Sequence, residues 1–452
     1  MFLDLRTMSP VSRREIYGKS VRRAIGLGLL SVFGASSLAV ASKLCVHPNG
    51  GFGCKLSISA AVAAASAGDT IVVAPGIYKE AVVITKAVSL VALDGTQPII
   101  DAKGLPNGIF VNGISAAPNP GVSNVVISGF KIRNANFEGI LVVNASDVTI
   151  VRNHVLDNNK SLDVAGAECP GIPAFETNEG MDCGEGIHLI AVDHSSVVRN
   201  ESENNSGGIL ISDETGPTHH NLVSGNSVHD NPYACGITMA SHGPATSVIP
   251  TAKVSFGITN NTIAHNESTH NGLGIPGAGA GVGIFAPFPG TTSSGNLVVD
   301  NDLRDNGLPG VTMHNHASAP APAPGINLND NVIFGNRISG NAADTADAAT
   351  SGPTGINVYS TAPITGTVIS QNVFDDEKVD VAFKAPAGQV NVHLNDFNGY
   401  AIGIDNLGTG SVDATENWWG CLLGPASKRC ASVAGPNVTS TPWLLFPFNN
   451  RY

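Results

Sequence analysis

Acidic and histidine residues recur at the ends of short alternating segments in the middle of this chain. Asp213 and Glu214 close one such segment, and His188, His242 and His314 lie in or just after three others. Glycoside hydrolysis requires two carboxyl groups about 5 to 9.5 Å apart, and a nearby histidine can serve as a base or contact a substrate. We therefore predict Asp213, Glu214 and His242 as catalytic residues.

The predicted substrate contacts surround this group. They are His188, Asp193, His314, His316 and Tyr359. The second carboxylate beside Asp213 would be Asp193, Glu185 or Asp182, across one or two repeats of the chain. A competing interpretation is that residues 213–216, Asp-Glu-Thr-Gly, are only a turn, because these residue types favour turns.

The segments that position these residues repeat along the chain. A glycine followed by an aliphatic residue opens a short alternating run that leads into an Asn-rich turn, and this phrase returns about every twenty to twenty-five residues, the period of a stacked-repeat protein. The alternation has a period of two, which indicates strands. The glycine phrase begins at Gly139, Gly186, Gly208, Gly236, Gly283, Gly310 and Gly355. We predict about ten stacked coils of a β-solenoid.

Strand alternation separates core residues from surface residues. The aliphatic residue after each glycine should point inward, which places Met239 and Met313 in the core rather than at a metal. Stacked coils lie about 4.8 Å apart, so outward residues should form columns. The first predicted column is His188, Leu210, Thr238, Phe285, Thr312 and Asn357, and the second is Ile190, Ser212, Ala240, Pro287, His314 and Tyr359.

Asparagines recur where the coils should turn, and insertions interrupt several coils. Stacked Asn side chains can bond the next coil's main chain, so we predict that they are structural. Insertions in repeat proteins tend to gather on one, often binding, face. These Asn residues are Asn158, Asn159, Asn204, Asn205, Asn231, Asn271, Asn306 and Asn341, and the insertions span 160–185, 243–253, 272–280, 317–324 and 342–353.

The first 41 residues have the pattern of an export signal. A basic region precedes an apolar stretch that ends in Ala39-Val40-Ala41, which is typical of a cleaved signal peptide. A membrane anchor is the alternative. The run Ser12-Arg13-Arg14 partly matches a twin-arginine signal, so twin-arginine and ordinary secretion both stay open. We predict a secreted or periplasmic protein with no membrane anchor after processing.

Charge and cysteine content agree with this location. The formal net charge is −12, which disfavours nucleic acid and other polyanions as partners. Neighbouring cysteines predict three local disulfides in an oxidising compartment. The pairs are Cys45 with Cys54, Cys169 with Cys183, and Cys421 with Cys430, and the remaining Cys235 should be a small buried hydrophobic residue.

Residues near both ends resemble one known superfamily. The segment Ser57–Glu80, SISAAVAAASAGDTIVVAPGIYKE, resembles the opening of pectin-lyase-like proteins, and Ala414–Pro425, ATENWWGCLLGP, is similar to the closing segment of exported bacterial members. The resemblance implies an all-β, right-handed parallel β-helix over residues 42–452. A short capping helix over residues 57–67 should begin it, and a C-terminal cap should occupy about residues 414–452.

The superfamily contains lyases, hydrolases, esterases, epimerases and binders, so the fold alone does not set the activity. We predict a monomer that acts on or binds polysaccharide, with no certain cofactor and calcium as a candidate. β-Elimination on polyuronates usually requires Lys or Arg at the substrate-binding face, to act as a base and to neutralise the substrate carboxylate. None of the residues in the two predicted outward columns is Lys or Arg. The nearest basic residues are Lys253 and Arg304, so we favour a glycoside hydrolase over a polysaccharide lyase.

A binding or metal-assembly role is the remaining alternative. Related periplasmic members support the maturation of copper enzymes. His314, Asn315 and His316 together with His242 would provide imidazole ligands for copper or zinc.

Overall fold

Short strands from three parallel sheets make up the coils of this protein. The computed structural model describes residues 41–158, 172–177, 184–315, 317, 324–425 and 427–448. Within the sheets the strands pair in parallel with the equivalent strands of the coils above and below. This is a parallel β-helix, as predicted, and the described part of residues 41–452 belongs to one compact unit.

Sheet A has 14 strands. They are β1 (Lys43–Val46), β2 (Thr70–Val73), β5 (Ser89–Ala92), β9 (Val126–Ser128), β12 (Thr149–Val151), β15 (Ser196–Val198), β19 (Leu222–Ser224), β23 (Thr262–Ala264), β27 (Leu297–Val299), β30 (Val332–Phe334), β33 (Ile364–Ser370), β36 (Gly388–His393), β38 (Ser411–Asp413) and β40 (Val438–Thr439).

Sheet B has ten strands among the described residues. They are β3 (Ile77–Tyr78), β6 (Ile99–Asp101), β10 (Lys131–Arg133), β13 (His154–Leu156), β16 (Glu201–Glu203), β20 (Ser227–His229), β24 (Glu267–Thr269), β28 (Asp302–Arg304), β31 (Arg337–Ser339) and β34 (Val373–Asp375).

Sheet C has 16 strands among the described residues. They are β4 (Val82–Ile84), β7 (Ile109–Asn112), β8 (Val122–Ser123), β11 (Ile140–Ser146), β14 (Ile187–Asp193), β17 (Ile209–Ser212), β18 (Thr218–His219), β21 (Ile237–Ala240), β22 (Ile258–Thr259), β25 (Val282–Phe285), β26 (Ser293–Ser294), β29 (Val311–His314), β32 (Thr354–Tyr359), β35 (Val379–Lys384), β37 (Ile402–Asn406) and β39 (Ser432–Ala434).

The core is a continuous stack of aliphatic side chains inside the three sheets. The predicted inward residues Ile187, Ile209, Ile237, Met239 and Met313 are all 0% exposed. Their burial explains why short three- and four-residue strands persist, because each coil covers the apolar edge of the next. The predicted core assignment of both methionines is confirmed.

Buried asparagines hold the corners together. Asn226 is typical: its Oδ1 accepts from N and Nδ2 of Asn200 at 2.8 and 3.1 Å, and its Nδ2 donates to Val197 O and to Asn266 Oδ1, both at 2.9 Å. A second such ladder links the predicted residues Asn158, Asn205, Asn231, Asn271, Asn306 and Asn341. It ends on Glu377, whose Oε1 accepts from N and Nδ2 of Asn341.

The helix α1 spans Ile58–Ala64, three residues shorter at its end than predicted. The Ser57 side chain caps its start by accepting from Ala60 N at 3.2 Å, and Glu80 accepts from Ile58 N and Ser59 N, each at 2.8 Å. Ile58, Ala61 and Val62 form the buried face of the helix. Two 3-10 helices, Gly51–Gly53 and Ile114–Ala116, complete the described helices.

Two of the three predicted disulfides are present, Cys45–Cys54 and Cys421–Cys430. Cys235 is buried, at 6% exposed, as predicted. Cys169 and Cys183 lie outside the described residues, and so do residues 1–40 of the predicted signal peptide. In the described part of the chain, we find no helix with the length and apolar character needed to cross a bilayer.

Candidate functional site

The outer face of sheet C presents two columns of side chains. Strand register aligns Leu141, His188, Leu210, Thr238, Gly283, Thr312, Asn357 and Ala382 in one column. It aligns Val143, Ile190, Ser212, Ala240, Phe285, His314, Tyr359 and Lys384 in the next. The predicted columns are therefore correct except at one coil.

The exception is β25, where the repeat phrase starts two residues earlier than predicted. Val282 pairs with Ile237, so Gly281, not Gly283, is the repeat glycine. A shift of two keeps every side chain on its face. It nevertheless moves Phe285 to the second column, beside Ala240 and His314, and takes Pro287 out of that column.

A chain of buried polar side chains crosses this face. Nε2 of His188 lies 2.9 Å from Ser212 Oγ, and Ser212 Oγ donates to Glu214 Oε2 at 2.5 Å. Because the Ser212 proton is given to Glu214, His188 must donate through Nε2. His188 and Ser212 are 2% and 0% exposed. The direction of these hydrogen bonds is therefore fixed by the protein and not by solvent.

Glu214 also contacts His242. Its Oε1 lies 3.0 Å from His242 Nδ1 and also accepts from Thr177 Oγ1 at 3.1 Å. Although burial opposes it, the positive charge of His242 leads the interactions that lower the pKa of Glu214 to about 2. Glu214 is therefore a carboxylate whose negative charge lies beside the Nδ1 side of the His242 ring.

Asp213 does not take part in these contacts and instead binds residues 241, 242 and 257. It is 0% exposed and accepts from His242 N at 2.8 Å, Gly257 N at 2.5 Å and Ser241 Oγ at 3.1 Å. Burial and the Glu214 charge raise the pKa of Asp213 to about 7, against the lowering effect of the two backbone amides. The geometry makes Asp213 the residue that positions His242.

His242 opens onto a cleft of about 360 Å³ above sheet C. His314 lies at the same cleft, with Nδ1 3.0 Å from Asp347 Oδ2. The Phe285 ring packs on His314 with centroids 4.5 Å apart, and Phe288 is 45% exposed at the cleft. Two histidines, each paired with a carboxylate, therefore share one cleft.

Two of the predicted insertions contribute to this cleft. Residues 277–279 come from one, and Asp344, Ala346 and Asp347 come from another. Asp344 is held by hydrogen bonds from the backbone N of Ala346, Asp347 and Ala348, and from Asn357 Nδ2. These contacts shape the loop that brings Asp347 to His314.

Lys384 is a basic residue at this face that the sequence analysis missed. It continues the second column after Tyr359, with Nζ 5.2 Å from the Tyr359 ring centroid. The same Nζ donates to Asp347 O at 2.9 Å. The alternation of β35 would have revealed Lys384, because it is the outward residue next to Tyr359 in the stack.

The remaining predicted site residues are Tyr359, Asp193 and His316. Tyr359 follows His314 in the second column. Asp193 lies at the far end of β14, where it pairs with His219 in strand register and its Oδ1 contacts His194 Nδ1 at 3.0 Å. His316 lies outside the described residues. The described structure thus brings together His188, Glu214, His242, His314 and Tyr359 along one face.

Two further buried carboxylates, Glu138 and Glu176, lie at the start of this face. With His188 they form a group whose ligand atoms all lie within 4.8 Å of one another. Glu138 precedes the repeat glycine Gly139, and Glu176 lies in the insertion. The sequence offered no signal for either, because turns often carry glutamate.

Comparisons with known proteins agree on the architecture. Residues 107–252 match the family described as right-handed beta helix region. The Dettilon tailspike protein superposes with a TM-score of 0.51 at 13% identity, over 84% of this chain and 64% of that one. No curated protein sequence matches the chain.

Two enzymes are among the other solved structures that match. The catalytic unit of a thermostable GH87 alpha-1,3-glucanase from Streptomyces thermodiastaticus has a TM-score of 0.47 and 14% identity, over 85% of this chain and 65% of that one. A mannuronan C-5 epimerase A-module from Azotobacter vinelandii has a TM-score of 0.45 and 14% identity, over 86% and 93%. The chain spans 64% and 65% of the lengths of the tailspike and the glucanase. Its three parallel sheets and the match over residues 107–252 make this chain a right-handed parallel β-helix protein.

Proposed function

We propose that this protein is an exported glycoside hydrolase that binds a neutral polysaccharide in the cleft above sheet C. The observation that carries the proposal is the buried Glu214–His242 pair at that cleft. A histidine oriented by an ionised carboxylate is a suitable general base. Aromatic side chains such as Phe288, half exposed in the cleft, suit the apolar faces of sugar rings.

The charges around the cleft favour a neutral substrate. Asp344 and Asp347 line it, and the whole chain has a net charge of −12. Like charges disfavour a polyuronate. Lys384, the one basic residue we place beside this face, is engaged by the Asp347 carbonyl, so hydrolysis remains favoured over β-elimination.

The roles follow from the stacking. Ala240 and His314 are two coils apart in one column, which is about 10 Å along the helix axis. That span leaves room for a glycosidic bond and an attacking water, as in hydrolysis with inversion. His242 Nε2 takes a proton from water, whose oxygen attacks the anomeric carbon. The His314–Asp347 pair delivers a proton to the departing glycosidic oxygen.

The test is product release from a panel of plant, algal and microbial polysaccharides by the mature protein, with and without calcium. New reducing ends without the ultraviolet absorbance of an unsaturated sugar support the proposal. Absorbing products would instead indicate a lyase and direct attention to Lys384. If polymers bind without any product, the protein is a glycan-binding solenoid and the catalytic assignment is wrong.

A further inference from the structure

We infer that Glu138, Glu176 and His188 form a binding site for one divalent transition-metal ion, of the Zn²⁺ or Mn²⁺ class. The three residues offer two carboxylates and one imidazole, with all ligand atoms within 4.8 Å of one another. Oxygen and imidazole donors in this ratio suit borderline first-row ions. This site is separate from the His242–His314 cleft and does not depend on the proposed hydrolase activity.

Glu138 supplies the first independent observation. Its side chain is 0% exposed, and among the described residues neither carboxylate oxygen has a hydrogen-bond donor. A buried carboxylate without a donor is costly, by several kcal/mol, unless a cation is bound. We find no Lys or Arg paired with it among the described residues, and its Oε1 lies 3.9 Å from Nδ1 of His188.

The ring orientation of His188 supplies the second. Nε2 donates to Ser212 Oγ, so Nδ1 is the nitrogen that faces Glu138. That Nδ1 has no hydrogen-bond partner within the described part of the chain. The 3.9 Å between His188 Nδ1 and Glu138 Oε1 is too long for a hydrogen bond. It falls within the span of two ligands that each lie about 2.0 to 2.2 Å from one ion.

The third ligand is held in place by packing. Glu176 is 9% exposed, and the preceding Phe175 stacks on Phe110 with centroids 6.1 Å apart. Phe110 and Phe175 pack against the buried cluster Leu141, Val143, Ile190 and Ala191. Thr177 on the other side donates to Glu214. Contacts on both sides therefore fix Glu176 above His188.

A metal at this site would be linked by hydrogen bonds to Glu214, the carboxylate beside His242. A metal-bound histidine usually donates its other N–H to a partner that fixes the ring. Here that partner is Ser212, which donates to Glu214, the residue paired with His242. Metal binding would therefore hold the order of donors from His188 through Ser212 to Glu214, the carboxylate beside His242.

The experiment is equilibrium binding of Zn²⁺ and of Mn²⁺ to chelator-treated mature protein, read by metal analysis after dialysis. We expect one tightly bound ion per chain for at least one of the two metals. E138Q and H188Q should each weaken binding at least tenfold, while the controls D347N and E377Q should leave it unchanged. D347N distinguishes this site from the neighbouring group of His314, Asp344 and Asp347.

A measurement on the wild type alone guards against variants that fold poorly. The thermal midpoint of the chelated protein should rise on adding the metal that binds, because a ligand of the folded state stabilises it. Co²⁺ in its place should give the visible absorption of a site with nitrogen and oxygen ligands. If neither metal binds saturably and neither shifts the midpoint, the inference is wrong. Binding that survives E138Q and H188Q but is lost in D347N would also overturn it.

Discussion

Nδ1 of His242 lies 3.0 Å from Oε1 of Glu214, and both side chains are 2% exposed. The two residues come from neighbouring coils, since Ser212 and Ala240 are partners in strand register. The stacking of coils, rather than any local sequence motif, therefore creates the pair. Its consequences for catalysis and stability can be measured separately.

Glu214→Gln should lower kcat about 100-fold with little change in KM. The single amide oxygen can keep only one of the two hydrogen bonds from Ser212 and Thr177. The neutral amide can no longer stabilise a positive charge on His242, and such acid–base contributions are typically about 10² to 10⁴. Steady-state kinetics on the substrate found in the panel provide the measurement. Glu267→Gln, at an exposed carboxylate in sheet B, is the control. Full kcat in the Glu214→Gln protein would remove Glu214 from the mechanism.

Phe288→Ala should raise KM several-fold and leave kcat unchanged. The ring is 45% exposed in the cleft and would contact substrate equally in the ground and transition states, which is uniform binding. Phe446→Ala, at a ring that is 65% exposed elsewhere, should change neither constant. An unchanged KM for Phe288→Ala would place the substrate in another part of the face.

Stability should fall as the pH rises through the neutral range. Burial raises the pKa of Glu377 to about 8, and burial with the Glu377 charge raises the pKa of Asp380 well above its usual value. The folded state then binds more protons than the unfolded state above about pH 4.5. The free energy of unfolding should decrease by up to about 1.4 kcal/mol per pH unit for each such group until its folded pKa is passed.

Glu377→Gln isolates one of these groups. Glutamine can accept from Asn341 through Oε1 as glutamate does, but it carries no titratable proton. The variant should match the wild type near pH 5 and exceed its urea midpoint at pH 8 and above. Equal pH profiles for the two proteins would show that Glu377 titrates normally.

Asn226→Ala should cost about 3 kcal/mol or more in the free energy of unfolding. The change leaves buried donors of Asn200 and the Val197 carbonyl unsatisfied, at about 1 to 3 kcal/mol for each group. Urea unfolding followed by circular dichroism measures it. Asn49→Ala, on an exposed loop, should stay within about 0.5 kcal/mol. Equal losses in the two variants would argue against a structural role for the ladder.

The sequence was sufficient to predict the coils. When repeats with period-two alternation stack, their apolar residues become buried only if they all point inward. Inward residues such as Ile237 and Met239 follow from that alternation. The register of β25 was wrong because residues 281–284, Gly-Val-Gly-Ile, contain the repeat phrase twice in two phases. Only the pairing of Val282 with Ile237 decides between them.

The sequence predicted which face of the β-helix carries the candidate site, but not the role of each residue on that face. Asp213 and Glu214 are adjacent in sequence, yet one fastens a loop and the other orients a histidine. That difference depends on where the 241–257 loop and Thr177 lie, and no repeat pattern specifies those positions. Asp347 and Glu176 were missed for the same reason, since both lie in insertions.

The most direct test of the account is the rate of reducing-end release by His242→Asn compared with His265→Asn and wild type. His265 is a control because its side chain is 64% exposed, away from the cleft. We predict that His242→Asn loses at least 99% of the activity, roughly the contribution of a general base, while keeping the wild-type urea midpoint. His265→Asn should retain the wild-type rate. Wild-type release by His242→Asn would contradict the assignment of this cleft as the catalytic site.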